Sequence, residues 1–147
     1  MAFGIVECRT VASSNADGYV GLVIVSHSAA IAGGLAELVA QVAGPDVPIV
    51  TAGGGPEGTL GTDGGRVLEA LRTVDGTGAV VLADLGSSLL SVKAALAELS
   101  PEDAAQIVLA DAPLVEGAIA AGVTASTGAS LSEVVRAAEE ARNVPKL

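Results

Sequence analysis

Beyond residue 20 the chain alternates two kinds of hydrophobic pattern. Short apolar runs rich in β-branched residues fall at 21–26, 47–52, 79–83 and 106–110, and a segment of helical periodicity follows each of them. Such alternation is typical of a parallel sheet whose two faces are covered by helices. Pro48 cannot donate to a central ladder, so it indicates that the second strand lies at an edge. We expect four strands, each paired with a helix.

The helical segments carry apolar residues at spacings that place them on one face. The predicted inward residues of the first helix, which Gly44 and Pro45 end, are Ile31, Leu35, Leu38, Val39 and Val42. Those of the second, which begins near Thr62, are Val67, Leu68 and Leu71, and those of the third are Leu89, Val92, Leu96 and Leu99.

Three polar or proline positions mark the later helix boundaries. Ser100 and Pro101 stop the third helix, and Pro113 lies near the first turn of the fourth, where a missing N–H costs little. A final surface helix begins at about residue 131, because Ser130 and Glu133 have the spacing of a capping box.

Right-handed crossovers make 2-1-3-4 the simplest order for four such strands, which gives a doubly wound, mainly parallel α/β sheet. In this order, successive strands are added in one direction from strand 1 to strand 2 and in the opposite direction from strand 1 to strands 3 and 4. Ligands bind in the crevice outside the carboxyl ends of the strands at such a point. The residues there are His27, the only histidine, and Asp84. If Asp84 accepts a hydrogen bond from Nδ1, Nε2 is left free to attack.

The helices after strands 1 and 3 begin at the same crevice, so their unpaired N–H groups favour an anion there. Gly86 permits close approach of the backbone to a ligand, and Ser28, Ser87 and Ser88 add hydroxyl donors. These residues suit a phosphoryl group carried on His27, and the pattern requires no metal. With one histidine and one cysteine in the chain, a metal site is not expected.

Each of these residues also has an ordinary structural interpretation. A lone histidine at a strand end is often structural, and Asp84 and the serines can simply cap helices. Gly53, Gly55 and Gly58 match a dinucleotide-binding pattern, but the pattern follows the second strand and Pro56 interrupts it, so we interpret the segment as a flexible loop. The segment from Gly55 to Thr62 does not match a phosphate-binding P-loop, because its spacing is wrong and no Lys precedes Thr62. Direct binding of free ATP is therefore unsupported.

Composition and charge narrow the classes of partner and compartment. The formal net charge is −10 and no basic cluster is present, so nucleic acid is a poor partner. No apolar run approaches the ~18 residues of a membrane span, and a single cysteine cannot form an internal disulfide, so we expect a soluble, cytoplasmic protein. Residues 1–19 show turn signals without periodicity, which predicts a flexible extension or a mis-assigned translation start, and residues 20–147 form one domain.

Four ordered segments resemble a known family. LVIVSHS (residues 22–28), GTD (61–63), ADLGSSLLS (83–91) and APLVEG (112–117) look like the phosphotransferase subunit of phosphoenolpyruvate-dependent dihydroxyacetone kinase, the DhaM family. That family is similar in fold to the mannose-type IIA domains of sugar phosphotransferase systems, and the histidine after the first strand is phosphorylated in both. His27 occupies that position.

The resemblance implies a function, partners and an assembly. His27 would take a phosphoryl group from the carrier protein HPr and hand it to ADP bound in the L subunit, after which the K and L subunits phosphorylate dihydroxyacetone. The chain itself would bind no cofactor, because ADP and ATP would reside on the L subunit. Family members form homodimers, so a homodimer is expected.

Two other function classes stay open. A IIA component of a mannose-type transporter would use the same histidine but deliver phosphate to a IIB protein. A regulatory module could sense an anion in the crevice without covalent chemistry, and it predicts no phosphohistidine.

Overall fold

The central sheet has four parallel strands in the order that the sequence predicts. The computed structural model describes residues 18–74 and 77–147, and in these ranges the order is β2-β1-β3-β4. The strands are β1 (Gly21–Ser26), β2 (Ile49–Gly53), β3 (Ala79–Ala83) and β4 (Ile107–Leu109). The doubly wound α/β prediction, with β2 at an edge, is confirmed. Residues 1–17 of the predicted extension lie outside the described residues, and Tyr19 packs against the core.

Six helices are described together with the strands. They are α1 (Ala29–Ala43), α2 (Gly64–Arg72), α3 (Gly86–Glu98), α4 (Pro101–Ala104), α5 (Leu114–Ser126) and α6 (Leu131–Glu140), with short 3-10 turns at Pro56–Gly58 and Ala141–Asn143. None of the helices in the described ranges has both the length and the apolar character needed to cross a membrane.

Side chains of the two central strands alternate between two hydrophobic cores because successive residues of a strand point to opposite faces. Leu22 and Ile24 of β1 pack in one core with α1, α5 and α6. Val23 and Val25 pack in the other core with α2 and α3. Both faces of the sheet are therefore covered by helices.

The buried face of α1 differs from the predicted one. Ile31, Leu38 and Val42 are about half exposed, at 52%, 49% and 48%, although Leu35 and Val39 are buried as predicted. The other buried positions of α1 are Ala32 and Ala43. The prediction was wrong because α1 packs its smaller side chains against the sheet and α5. A Cβ at Gly122 of α5 would lie only 2.6 Å from Val39 Cγ1, which shows how close the two helices are.

The predicted faces of α2 and α3 are confirmed. Val67, Leu71 and Val92 are fully buried, and Leu68, Leu89, Leu96 and Leu99 pack partly buried around them. These two helices cover the face of the sheet opposite α1.

Two segments between the third and fourth strands depart from the prediction. Helix α3 ends at Glu98, just before Ser100 and Pro101 as predicted. The Ser100 hydroxyl accepts the amide of Asp103 and so caps the short helix α4, which the sequence reading missed. β4 is one residue shorter at each end than the predicted 106–110, and at its start the backbone N–H of Gln106 donates to Asp103 O in the turn after α4.

The capping box of α6 is present as predicted. Ser130 Oγ accepts from Glu133 N, and Glu133 Oε2 accepts from Ser130 N at 2.8 Å. The helix is amphipathic: Val134 and Ala138 are fully buried in the core that it shares with α1 and α5.

Candidate active site at the carboxyl edge of the sheet

His27 and Asp84 meet where the two central strands end. β1 and β3 are parallel neighbours in which Val25 is paired with Ala83, so their carboxyl ends lie side by side. Each strand is followed within a few residues by a helix, α1 after β1 and α3 after β3. The residues after the two strands therefore converge, as the sequence predicts from the strand order.

Asp84 holds the imidazole of His27 through one ring nitrogen. His27 Nδ1 lies 2.8 Å from Asp84 Oδ1, and the backbone N–H of His27 donates to Oδ2 at 3.0 Å. An ionised carboxylate only accepts hydrogen bonds, so this contact selects the tautomer with the proton on Nδ1. The other nitrogen, Nε2, then carries the lone pair and contacts the Ser87 hydroxyl. The His27 side chain is 26% exposed.

Three further donors reach the Asp84 carboxylate. Ser26 Oγ donates to Oδ2 at 2.8 Å, and Leu85 N and Ser88 Oγ donate to Oδ1 at 2.7 and 2.5 Å. Burial by itself would raise the pKa of Asp84, but hydrogen bonds from Ser88, from the amide and ring of His27 and from Ser26 outweigh it and hold the pKa far below its usual range. Asp84 is therefore ionised beside His27 at neutral pH.

The capping interpretation of Asp84 accounts for little of this geometry. Helix α3 begins at Gly86 with Leu85 as its N-cap, and within that turn the Asp84 carboxylate accepts the amide of Leu85 and the hydroxyl of Ser88. Its remaining three hydrogen bonds come from Ser26 and His27 at the end of β1. Asp84 thus joins the ends of two strands.

Three of the four predicted phosphate-binding residues are accessible at this edge. Ser28 caps α1 by accepting the Ile31 amide at 3.3 Å, and Gly86 opens α3 with nothing within 4 Å of where a Cβ would lie. Ser87 is exposed and its hydroxyl reaches Nε2 of His27. The first N–H groups of both helices have no partner within their own helix. The Ser87 hydroxyl therefore lies at Nε2, and both helices begin within two residues of His27 or Asp84.

Ser88 is placed differently from these three residues. Its side chain is fully buried, and its hydroxyl lies 2.5 Å from Asp84 Oδ1. The same oxygen lies 3.3 Å from Nδ1 of His27, not beside Nε2. The position suits an Asp84 partner better than a phosphate ligand.

The glycine-rich loop after β2 lies against the backbone of the site. Gly54 N donates to Ser26 O, and Gly61 N donates to His27 O at 2.9 Å. A Cβ at Gly53 would lie 2.7 Å from Ala32 Cβ, so only glycine lets β2 end so close to α1. The loop continues through a 3-10 turn to α2, capped by Asp63, and therefore does not open a helix in the manner of a dinucleotide-binding motif.

Sequence reasoning missed Ser26 as a member of the site. Its side chain is fully buried and links the amide of Ser28, at 3.1 Å, to Asp84. The sequence did offer one signal for Ser26: it is the hydroxyl-bearing last residue of an otherwise apolar strand. No group of three or more His, Cys, Asp or Glu side chains able to hold a metal ion occurs in the described ranges.

Comparison with known families decides the class of protein. Residues 21–135 match the family model EIIA-man, described as the fructose IIA component of the phosphotransferase system. The chain belongs to this IIA family. His27, Asp84 and both helix N-termini around them lie within the matched residues.

Relatives of this IIA domain carry the name that the sequence motifs suggested. The chain is 44% identical over 126 residues to the phosphoryl donor subunit DhaM of Providencia stuartii and 42% identical over 120 residues to that of Escherichia coli, which covers 83% and 79% of this chain. It spans only about a quarter of those two proteins, 26% and 25%. A DhaM subunit of Listeria innocua is 33% identical over 80% of this chain and 94% of its own length. The resemblance to DhaM is thereby confirmed.

A solved structure supports the same fold. The crystal structure of EF1359, a protein of unknown function, matches with a TM-score of 0.76 and 31% identity over 88% of this chain and 97% of that one. The mannose-type IIA fold predicted from the sequence is confirmed.

Proposed function

We propose that this IIA domain is the phosphoryl donor subunit of a phosphoenolpyruvate-dependent dihydroxyacetone kinase. In this proposal, His27 accepts a phosphoryl group from phosphorylated HPr and transfers it to ADP held by a partner L subunit. The observation that carries the proposal is the pairing of His27 Nδ1 with Asp84 at 2.8 Å, which leaves Nε2 free beside the hydroxyl of Ser87 in the first turn of α3.

The first transfer is a displacement at phosphorus. The lone pair of His27 Nε2 forms a new N–P bond as the N–P bond of the donor's phosphohistidine breaks, and the electron pair of that bond returns to the donor's imidazole. Nδ1 keeps its proton throughout, because Asp84 accepts it as a hydrogen bond and stays ionised. Asp84 thus offsets positive charge on the ring without taking part in bond formation.

The surroundings of Nε2 supply the electrostatic part of the reaction. Phosphoryl transfer depends mainly on positioning and on donors for the three phosphoryl oxygens. The first backbone N–H groups of α1 and α3 and the hydroxyls of Ser28 and Ser87 supply such donors. Ser87, which contacts Nε2 in the resting site, would turn its hydroxyl to a phosphoryl oxygen.

In the second transfer the imidazole of His27 is the leaving group and no longer the nucleophile. An oxygen of the terminal phosphate of ADP attacks the phosphorus, the His27 Nε2–P bond breaks, and the electron pair returns to the imidazole. ATP then forms on the L subunit, so this chain needs no nucleotide or metal of its own. A cytoplasmic homodimer that works with the K and L subunits completes the proposal.

Phosphoryl labelling tests the first step. The purified chain is incubated with phosphoenolpyruvate, enzyme I and HPr, and we expect one acid-labile phosphate per chain. The label should be absent from His27→Ala and retained in Ser126→Ala, which removes a helix hydroxyl that donates to Val123 O. Failure of the wild-type chain to label would contradict a carrier role and favour an anion-sensing module.

The acceptor distinguishes a kinase subunit from a transporter component. Labelled chain is mixed either with an L subunit loaded with ADP or with a IIB protein of a mannose-type transporter. We expect transfer to ADP, measured as ATP formed. Transfer to IIB alone would overturn the kinase assignment and leave the IIA family assignment standing.

A further inference from the structure

Two polar side chains are fully buried in the described part of the chain, and both bind the same carboxylate. Ser26 and Ser88 are each 0% exposed. Ser26 Oγ donates to Asp84 Oδ2 at 2.8 Å, and Ser88 Oγ lies 2.5 Å from Oδ1. A buried hydroxyl without a hydrogen-bond partner costs free energy. The hydrogen bonds to Asp84 satisfy both serine hydroxyls and so offset the cost of burying them.

The two serines hold the carboxylate from opposite sides of the site. Ser26 belongs to the end of β1, and Ser88 to the first turn of α3. Each carboxylate oxygen receives one hydroxyl and one backbone N–H, the amide of His27 on Oδ2 and that of Leu85 on Oδ1. His27 Nδ1–H donates a third hydrogen bond to Oδ1.

The direction of each hydroxyl proton follows from its neighbours. Ser26 Oγ already accepts the amide of Ser28 at 3.1 Å, so its own proton is free to point at Asp84. Ser88 Oγ lies 2.5 Å from the carboxylate and 2.9 Å from the carbonyl of Leu85, and the charged carboxylate is the stronger acceptor. Both serines therefore donate to Asp84.

We propose that Ser26 and Ser88 are positioning residues that fix the plane of the Asp84 carboxylate and thereby select the Nδ1–H tautomer of His27. The torsion that rotates a carboxylate has broad minima, so the two backbone amides alone leave its plane loosely defined. Four donors from two elements hold Oδ1 in front of the imidazole. Ser88 acts through Asp84 and does not bind the phosphoryl group. The effect on transfer rests on the proposed function, whereas the effect on the tautomer does not.

The tautomer can be observed without any partner protein. His27 is the only histidine, so ¹⁵N-histidine labelling gives ring signals that need no assignment. In the neutral ring of the wild-type chain we expect a protonated Nδ1, protected from exchange with water, and an unprotonated Nε2. Ser26→Ala and Ser88→Ala should each weaken the Nδ1–H signal and mix the tautomers, and the double variant should lose the signal. Ser126→Ala is the control, because the Ser126 hydroxyl donates to Val123 O at 2.6 Å, and this variant should give the wild-type signals.

Transfer rates test whether the serines act through Asp84. We expect each alanine substitution to slow phosphorylation of the chain by HPr about 10-fold, by analogy with groups that orient metal-binding histidines. In an Asp84→Ala background the same substitutions should change the rate less than 2-fold, because the group that they orient is absent.

The two experiments separate failure of this inference from failure of the proposed function. Wild-type tautomer signals in both serine variants would overturn the inference, as would rate effects that add in the Asp84→Ala background. A chain that never labels but loses its Nδ1–H signal in the serine variants would overturn the proposed function and leave the positioning role standing. If an alanine variant fails to fold, Ser26→Cys and Ser88→Cys, which leave no cavity but donate weakly, should give the same weakening.

Discussion

Nδ1 of His27 lies 2.8 Å from Oδ1 of Asp84, although 57 positions separate the two residues in the chain. The pairing exists because β1 and β3 are parallel neighbours that end at the same edge of the sheet. It determines which ring nitrogen faces the surface. The chemistry proposed for the site follows from that choice of nitrogen.

Removing the carboxylate should slow transfer without abolishing it. Asp84→Ala takes away the group that orients the imidazole but leaves the nucleophile, so we expect phosphorylation by HPr to slow about 10- to 100-fold. Rapid-quench labelling measures the rate. The fold should survive with a loss of about 1–3 kcal/mol in the free energy of unfolding, because Ser26 and Ser88 lose a buried acceptor. An unchanged rate would mean that Asp84 is only a structural residue at the start of α3.

Acid should remove the stabilising contribution of Asp84. Because the pKa of Asp84 is lower in the folded chain than in the unfolded one, its contribution is fully present above the unfolded value of about 3.9 and declines as the pH falls below it. Chemical unfolding of the wild type and of Asp84→Ala between pH 7 and pH 2 measures this. The difference in the free energy of unfolding should be constant down to about pH 4.5 and then shrink. A difference that stays constant to pH 2 would show that the carboxylate titrates alike in both states.

Two glycines near the site should respond oppositely to alanine. In Gly53→Ala the new Cβ would lie 2.7 Å from Ala32 Cβ and 2.8 Å from Ala29 Cα, so the end of β2 or the start of α1 must move. We expect a loss of about 1–3 kcal/mol, as for overpacked cores, together with slower transfer, because Ser28 and His27 shift with α1.

Gly34→Ala is the matched control for that substitution. Gly34 is exposed within α1 and has nothing within 4 Å of its Cβ position, so alanine should stabilise the chain by about 0.5–1 kcal/mol. Thermal unfolding of the two variants provides the comparison. A neutral Gly53→Ala would contradict the close approach of β2 to α1.

The site was predictable as far as it depends on strand order. His27 and Asp84 each follow a buried apolar run, and once the order 2-1-3-4 is adopted their proximity follows from the parallel strands. The capping box at Ser130 was likewise visible, because it depends only on residues within one turn.

The remaining features depend on packing that local patterns do not encode. Ser26 was overlooked because the direction of its hydroxyl depends on a residue 58 positions away. The face of α1 was misplaced for a related reason: the spacing of large side chains favoured Ile31 and Leu38, whereas the close helix α5 favours the small residues Ala32 and Ala43. Which stripe is buried depends on the neighbour and not on the helix itself.

The central claim is that His27 carries a phosphoryl group on Nε2. The most direct measurement is the ¹⁵N and ³¹P spectrum of the ¹⁵N-histidine-labelled chain after phosphorylation by phosphoenolpyruvate, enzyme I and HPr, since one histidine gives one pair of ring signals. We predict coupling of phosphorus to Nε2 and a retained proton on Nδ1. Coupling to Nδ1, or a ring that stays unmodified under conditions that phosphorylate HPr, would contradict the account.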